Sequence, residues 1–170
     1  MVTLRCTAKA AKALGFSLIP NAPAGTSPLG DWYVNLIPTA GGGLFLFVNE
    51  QSLLTVVVPS AERDLLNIFV LRVANILSMI GVPNDRIELE LLHFLEARAG
   101  KTTSKRLLGV MNDHAWRCQQ AIDEATPDAK VSLSELEFSL ANMPEATLAF
   151  RTAAEVTLQL LQSDARFGNA

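Results

Sequence analysis

Residues 101–114 hold the densest set of reactive side chains in the chain. Lys101, Lys105 and Arg106 supply positive charge, Thr102, Thr103 and Ser104 supply hydroxyls, and Asn112, Asp113 and His114 follow within the same fourteen residues. Gly100-Lys101-Thr102 has the ending of a phosphate-binding loop. That loop also needs a glycine five residues before Gly100, so that backbone amides can wrap a phosphate. Leu95 stands there, so the triphosphate reading fails. A smaller anion site survives it. Thr103 or Ser104 caps a helix, and the free amides of its first turn, with Lys101, Lys105 and Arg106, could converge on one negative group. Arg5, in a strand near the N-terminus, would be the partner brought from elsewhere. The plainer alternative is a capped helix with solvated lysines, because every helix start offers such amides.

Asn112, Asp113 and His114 place an acid beside a base. Neighbouring helical positions point in different directions, so the run is not itself a catalytic pair. Asn and Asp are poor residues in mid-helix. Their presence predicts either a break near Asn112 or a role for the side chains. Asp113 can pair with Arg117, four residues on. His93 and His114 are the only histidines, and they do not share a helix face at metal-ligand spacing. No metal and no cofactor is expected. Cys118 falls on an apolar helix face and reads as a small buried hydrophobe. Cys6 sits beside Arg5 at a strand end, and burial is again the expected state. Trp32, Asn35 and Asn49 lie in or beside strands, where they could line a pocket or an interface. The alternatives are a half-buried core tryptophan and two turn-holding asparagines.

These residues must be positioned by the following elements. Residues 2–5 read as a strand. Thr7 caps a helix over 8–14, and Gly15 takes its left-handed end. Residues 16–31 carry three prolines and two glycines and fit no regular element. So long an irregular stretch predicts a binding loop or a mobile insertion. Strands over 32–37, ended by Pro38, then 44–48 and 53–58 form an antiparallel meander. Phe45 and Phe47 face one way and Leu44, Leu46 and Val48 the other, which predicts a sheet covered on both sides. Ser60 caps a central helix over 61–80 that Gly81 and Pro83 stop. Residues 86–94 alternate as a strand does and also fit a helix; the strand is preferred. A helix then runs from residue 103 or 104 to about 124, ended by Pro127. Ser132 or Ser134 caps a helix through Ala141, Pro144 stops it, and Thr152 starts a last helix over 153–161. The expected fold class is α+β, a single domain over 1–165 with an antiparallel sheet of about four strands packed by helices, followed by a polar tail at 166–170.

Bulk properties bound the function. The 170 residues are 49% hydrophobic and 18% charged, with net charge −3. That composition argues against disorder and leaves room for a hydrophobic interface. It gives no global basic footprint, so nucleic acid is an unfavoured partner. Two cysteines and a strand-like start point to a reducing cytoplasm rather than secretion. The most apolar stretch, 65–80, is broken by Asn67, Arg72 and Asn75 and does not span a membrane.

Four motifs, in order, resemble a known family. They are Leu4-Arg5-Cys6-Thr7 before a Lys/Ala helix, residues 30–35 around Trp32 and Tyr33, residues 46–50 ending in Asn49 and Glu50, and Lys101-Thr102 running into 108–113. The chain resembles the bacterial family of unknown function numbered 6933, over nearly its whole length. The resemblance implies a small bacterial, cytoplasmic protein and transfers no activity. The leading expectation is a binding or interaction module, a homo-oligomer or the holder of a protein partner. The rivals are a small hydrolase or nucleic-acid-processing enzyme, with an anion held by Arg5, Lys101, Arg106 and Asp113, and a small-molecule sensor closed by a mobile loop 16–31.

Overall fold

The structure, a computed structural model, describes residues 1–125 and 131–163. The expected end at Pro127 and the tail at 166–170 lie outside them.

The meander forms as the alternation predicts. Strands β2 (Trp32–Thr39), β3 (Gly42–Asn49) and β4 (Thr55–Pro59) pair antiparallel. The sheet is larger than expected and mixed. Strand β1 (Val2–Cys6) joins β2 in parallel, and β5 (Ala97–Lys101) joins β1 in parallel, giving the order β4-β3-β2-β1-β5. Two expectations are corrected here: five strands replace four, and the sheet is not purely antiparallel. Pro38 does not end β2 but pairs with Gly43. At that position the backbone N and O point away from β3, on the side where β1 has already stopped. The missing N–H therefore breaks no bond, and the Pro38 carbonyl accepts from Gln119 Nε2 at 2.7 Å.

Helices cover both faces. The face with Phe45, Phe47 and Trp32 packs against α1 (Ala8–Leu14), α2 (Leu65–Met79) and α3 (Asn84–Leu92). Phe47 stacks on Phe69 of α2 at 4.0 Å, and Trp32 meets the same ring edge-on at 5.3 Å. The face with Tyr33, Leu44, Leu46 and Val48 packs against α4 (Lys105–Asp123) and Leu140 of α5 (Leu133–Ala141). A short ribbon of β6 (Pro144–Glu145) and β7 (Arg151–Thr152) leads into α6 (Ala153–Ser163). Thr152 and Glu155 cap α6 reciprocally, each side chain accepting from the other's backbone N–H.

Two further elements differ from expectation. Residues 86–94 belong to helix α3 and a 3-10 turn (His93–Glu96), not to a strand. Ile87, Glu90 and Phe94 are its buried positions, a helical spacing that outweighs the alternation. Helix α2 begins at Leu65 rather than after Ser60, whose N–H still pairs with Gly43 as the sheet's last rung. Nor is α2 central, because Leu66, Leu71 and Met79 remain exposed. No helix of the described residues is long and apolar enough to cross a membrane.

Each sheet edge is met by one outside partner. In β4 the Val57 N–H points away from β3, and Glu137 Oε1 of α5 accepts it at 2.8 Å. Arg72 of α2 donates to the same oxygen at 2.8 Å. On the other side the Ile19 N–H donates to the Ala99 carbonyl of β5.

Candidate functional site

The predicted anion site does not assemble as one cluster. Lys101 belongs to β5, not to the helix start. In the register Arg5 faces Gly100 and Cys6 faces Lys101. Side chains alternate along a strand, so Arg5 and Lys101 lie on opposite faces of the sheet. Ser104 is the cap, and its oxygen accepts from the Leu107 N–H at 3.3 Å. Lys105 and Arg106 are exposed. Helix α4 runs unbroken through Asn112 and Asp113, which point to solvent while His114 points into the core. Among the described residues no ion pair joins Asp113 to Arg117.

Arg5 and Arg106 do approach one region, and the anions there are the protein's own. Arg5 Nε donates to Asp31 Oδ2 at 2.8 Å, with both side chains buried. Asp31 Oδ1 accepts the Gly25 N–H at 2.6 Å, and Arg5 also donates to the Pro23 carbonyl. Glu50 stands opposite Asp31 across the β2–β3 pair, its N–H on the Asp31 carbonyl. Arg106 donates to the Glu50 carbonyl at 3.4 Å. Burial, and then the charge of Asp31, raise the Glu50 carboxyl above its ordinary 4.5, against the opposing pull of the Asp31 backbone, Arg5 and Arg106. A carboxyl raised in the folded state keeps its proton after the unfolded chain has lost it. Stability then falls as pH climbs from 4.5 through the raised value. Glu50→Gln is expected to abolish that fall. The urea midpoint of the variant, relative to wild type, rises between pH 4 and pH 8. Parallel midpoint curves for the two proteins would refute this assignment.

The same network pins the loop. Thr3 donates to the Pro23 carbonyl at 2.7 Å, the Thr26 N–H to Met1 O at 2.9 Å, and Ser27 Oγ to Glu90. Gly100 leaves room for it, since a Cβ there would sit 2.6 Å from the Ala22 Cβ. Asn49 spends its whole side chain on this join. Its Nδ2 donates to the Leu29 and Asp31 carbonyls, and its Oδ1 accepts from Gln51 N, Ser52 N and Ser52 Oγ. Asn35 Oδ1 accepts from Thr7 Oγ1 and the Leu36 N–H. Trp32 is fully buried core. These three candidates therefore tie or fill the fold.

A second buried network surrounds His114. Its Nδ1 lies 2.7 Å from Thr55 Oγ1, and its Nε2 lies 3.0 Å from Glu145 Oε1. That hydrogen bond first, with the charges of His114 and Arg117, holds the Glu145 carboxyl below its ordinary value despite burial. The hydroxyl–imidazole–carboxylate order matches a nucleophilic triad. Thr55 is buried, however, and its Oγ1 also lies 3.0 Å from the Leu53 carbonyl, so no substrate reaches it. The network instead ties β4, α4 and β6 together. Burial pushes the thiols of Cys6 and Cys118 up to about 12, which leaves almost no thiolate near neutrality. No group of three or more His, Cys, Asp or Glu side chains that could hold a metal exists among the described residues.

An apolar groove opens on the α2–α3 surface, away from the polar candidates. Val70 of α2 and Leu89, Leu91, Leu92 and Leu95 of α3 and the 3-10 turn line a groove of about 710 Å³. Among the described residues Asp85 and Glu88 are its charged lining. Leu92 is 59% exposed and Leu95 81% exposed. A signal was present: Leu89, Leu92 and Leu95 recur every third residue, a second stripe beside the buried Ile87 and Phe94.

These observations define a class: an α+β chain of six helices among the described residues, a mixed five-stranded sheet and a two-stranded ribbon. The buried charges of Arg5 and Asp31, and of Arg72 and Glu137, are paired with each other, and the groove beside α3 is apolar. The chain belongs to the family described as Domain of unknown function (DUF6933), whose model matches residues 3–152. No curated protein matches it significantly.

Proposed function

We propose that this protein is a binding module rather than an enzyme, acting in the bacterial cytoplasm and docking a polypeptide on its α2–α3 face. The observation that carries this reading is the pair Leu92 and Leu95, left in solvent on a groove lined by leucines and a valine. Such a patch with a polar rim is the mark of an interaction surface. The enzyme alternative is not favoured by the geometry: Arg5 is neutralised by Asp31, Lys101 is on the other face, and Asp113 points to solvent. The sensor alternative needs a loop free to move, and 16–31 is held to the strands by at least four hydrogen bonds.

Dilute protein should bind an anilinonaphthalene sulfonate dye at this groove while fully folded. Leu92→Glu/Leu95→Glu, at two exposed positions, should keep the melting temperature within a few degrees and remove most of the dye signal. Equal dye fluorescence from both proteins would sink the reading.

A further inference from the structure

The protons of the His114 network can be counted one by one. Thr55 Oγ1 lies 3.0 Å from the Leu53 carbonyl and 2.7 Å from His114 Nδ1. A hydroxyl has one proton to give, and a carbonyl oxygen only accepts. When Thr55 donates to Leu53, Nδ1 must donate to Thr55. Across the ring, Nε2 lies 3.0 Å from Glu145 Oε1. The hydrogen bond from His114 holds the Glu145 carboxyl below its ordinary value, so it is ionised near neutrality and only accepts. All three contacts therefore carry a proton only when both ring nitrogens do, and His114 is then an imidazolium. A neutral ring leaves one contact without. The proton lost is the one on Nδ1, because a bare Nε2 would turn its lone pair on the Glu145 carboxylate. The Thr55 hydroxyl then swings to Nδ1, and the Leu53 carbonyl loses its donor.

Leu53 is a residue at which that bond counts. It is buried, and its φ of 62° lies in the left-handed region that side chains other than glycine seldom adopt. Its N–H donates to the Asn49 carbonyl, and the Asn49 N–H to the Leu54 carbonyl, which closes the turn between β3 and β4. The Asn49 side chain in turn holds the Leu29 and Asp31 carbonyls. We propose that His114 is a proton-operated switch of this turn. Protonated, it leaves the Thr55 hydroxyl free to hold Leu53. Neutral, it takes that hydroxyl and loosens the turn beside its clasp on Leu29 and Asp31. Imidazole suits the task, because its charge changes within roughly pH 5 to 8. The charged and titratable groups about it come from several elements. They are Glu145 on β6, Arg117 and the Cys118 thiol on α4, and Glu137 on α5, whose charge reaches Cys118 and which Arg72 of α2 holds. Strand β3 presents Leu46 and Val48 on this face, and Tyr33 of β2 is bonded to Thr103. The switch is independent of the docking face.

The experiment is nuclear magnetic resonance of the full chain, labelled with nitrogen-15 and carbon-13, from about pH 5 to about pH 9. At the acid end both His114 ring nitrogens should show the shift of a protonated nitrogen. At the alkaline end Nδ1 alone should have moved to the shift of a bare one. The Leu53 carbonyl carbon should shift with the same midpoint. In Thr55→Val the ring should still titrate, and the Leu53 response should be lost. Thr55→Ser, which keeps the hydroxyl, should retain the coupled response. Glu50→Gln should retain it as well, which separates it from titration of the Glu50 carboxyl in the same turn. A ring with a single protonated nitrogen at both ends of the range would overturn the switch, and so would loss of the proton from Nε2. A Leu53 carbonyl that ignores the ring, or follows it equally in Thr55→Val, would overturn the link through the hydroxyl and with it the proposal.

Discussion

Asp31→Ala is expected to destabilise the protein by about 3–5 kcal/mol, the usual result of leaving one member of a buried ion pair alone. The change strands the Arg5 guanidinium between sheet and loop and removes the acceptor of the Gly25 N–H. For a chain of this length that is a fall in melting temperature of about 10 °C. Asp31→Asn keeps an oxygen for Gly25 but not the charge for Arg5, so it should fall between the two. Arg5→Met/Asp31→Leu should recover much of the loss, since an apolar pair of similar volume often replaces a buried ion pair at little cost. The urea midpoint reads all three variants. A loss under about 1 kcal/mol for Asp31→Ala would mean that the loop is held by something other than this pair.

Glu137→Ala is expected to cost a similar amount, about 3–5 kcal/mol, with a local signature. Glu137 Oε1 receives both the Val57 N–H and Arg72 Nε. Burial raises its carboxyl, and the bonds from Arg72 and Val57 oppose that rise. Without it the outward amide of the edge strand loses its acceptor. Hydrogen exchange at Val57 should then quicken far more than at Val56, whose register points its amide toward Phe47. Glu137→Gln retains an acceptor for Val57, so it should preserve that protection while weakening the hold on Arg72. Equal acceleration along all of β4 in Glu137→Ala would show general loosening instead of an opened edge.

Local chemistry was readable where it acts over a few residues. Thr7, Gly15 and Thr152 cap or end helices where expected, the structure selects Ser104 over Thr103 and Ser132 over Ser134, and Ser60 caps nothing because it extends the sheet. Phe45 and Phe47 against Leu44, Leu46 and Val48 announced the two covered faces. What was hidden depends on distant partners. Ala97–Lys101 has no β-branched or aromatic residue and reads as strand only once β1 lies beside it. Residues 86–94 satisfy both periods, and contact with α2 and the sheet decides between them. Arg5 stood out as a candidate, but its neutralisation by Asp31 requires a loop path that no local pattern encodes. Leu89 and Leu91 fit a strand's alternation while the exposed Leu92 and Leu95 fit a helix, so no single period in the residues marks the groove.

The placement of β1 has a kinetic consequence. It is the first strand in the chain, yet it lies between β2 and β5, and Val2 must find Ala97. The meander of β2 to β4 can close through short hairpins, within microseconds for each elementary step. Inserting β1 requires two parallel pairings, one of them across roughly ninety-five residues, and closing so large a loop comes late and raises contact order. During synthesis the N-terminal strand therefore waits, apolar and unpaired on one edge, until the segment after α3 emerges. Refolding should show a fast phase that protects amides of β3 and β4, and a slower one in which β1 and β5 gain protection together.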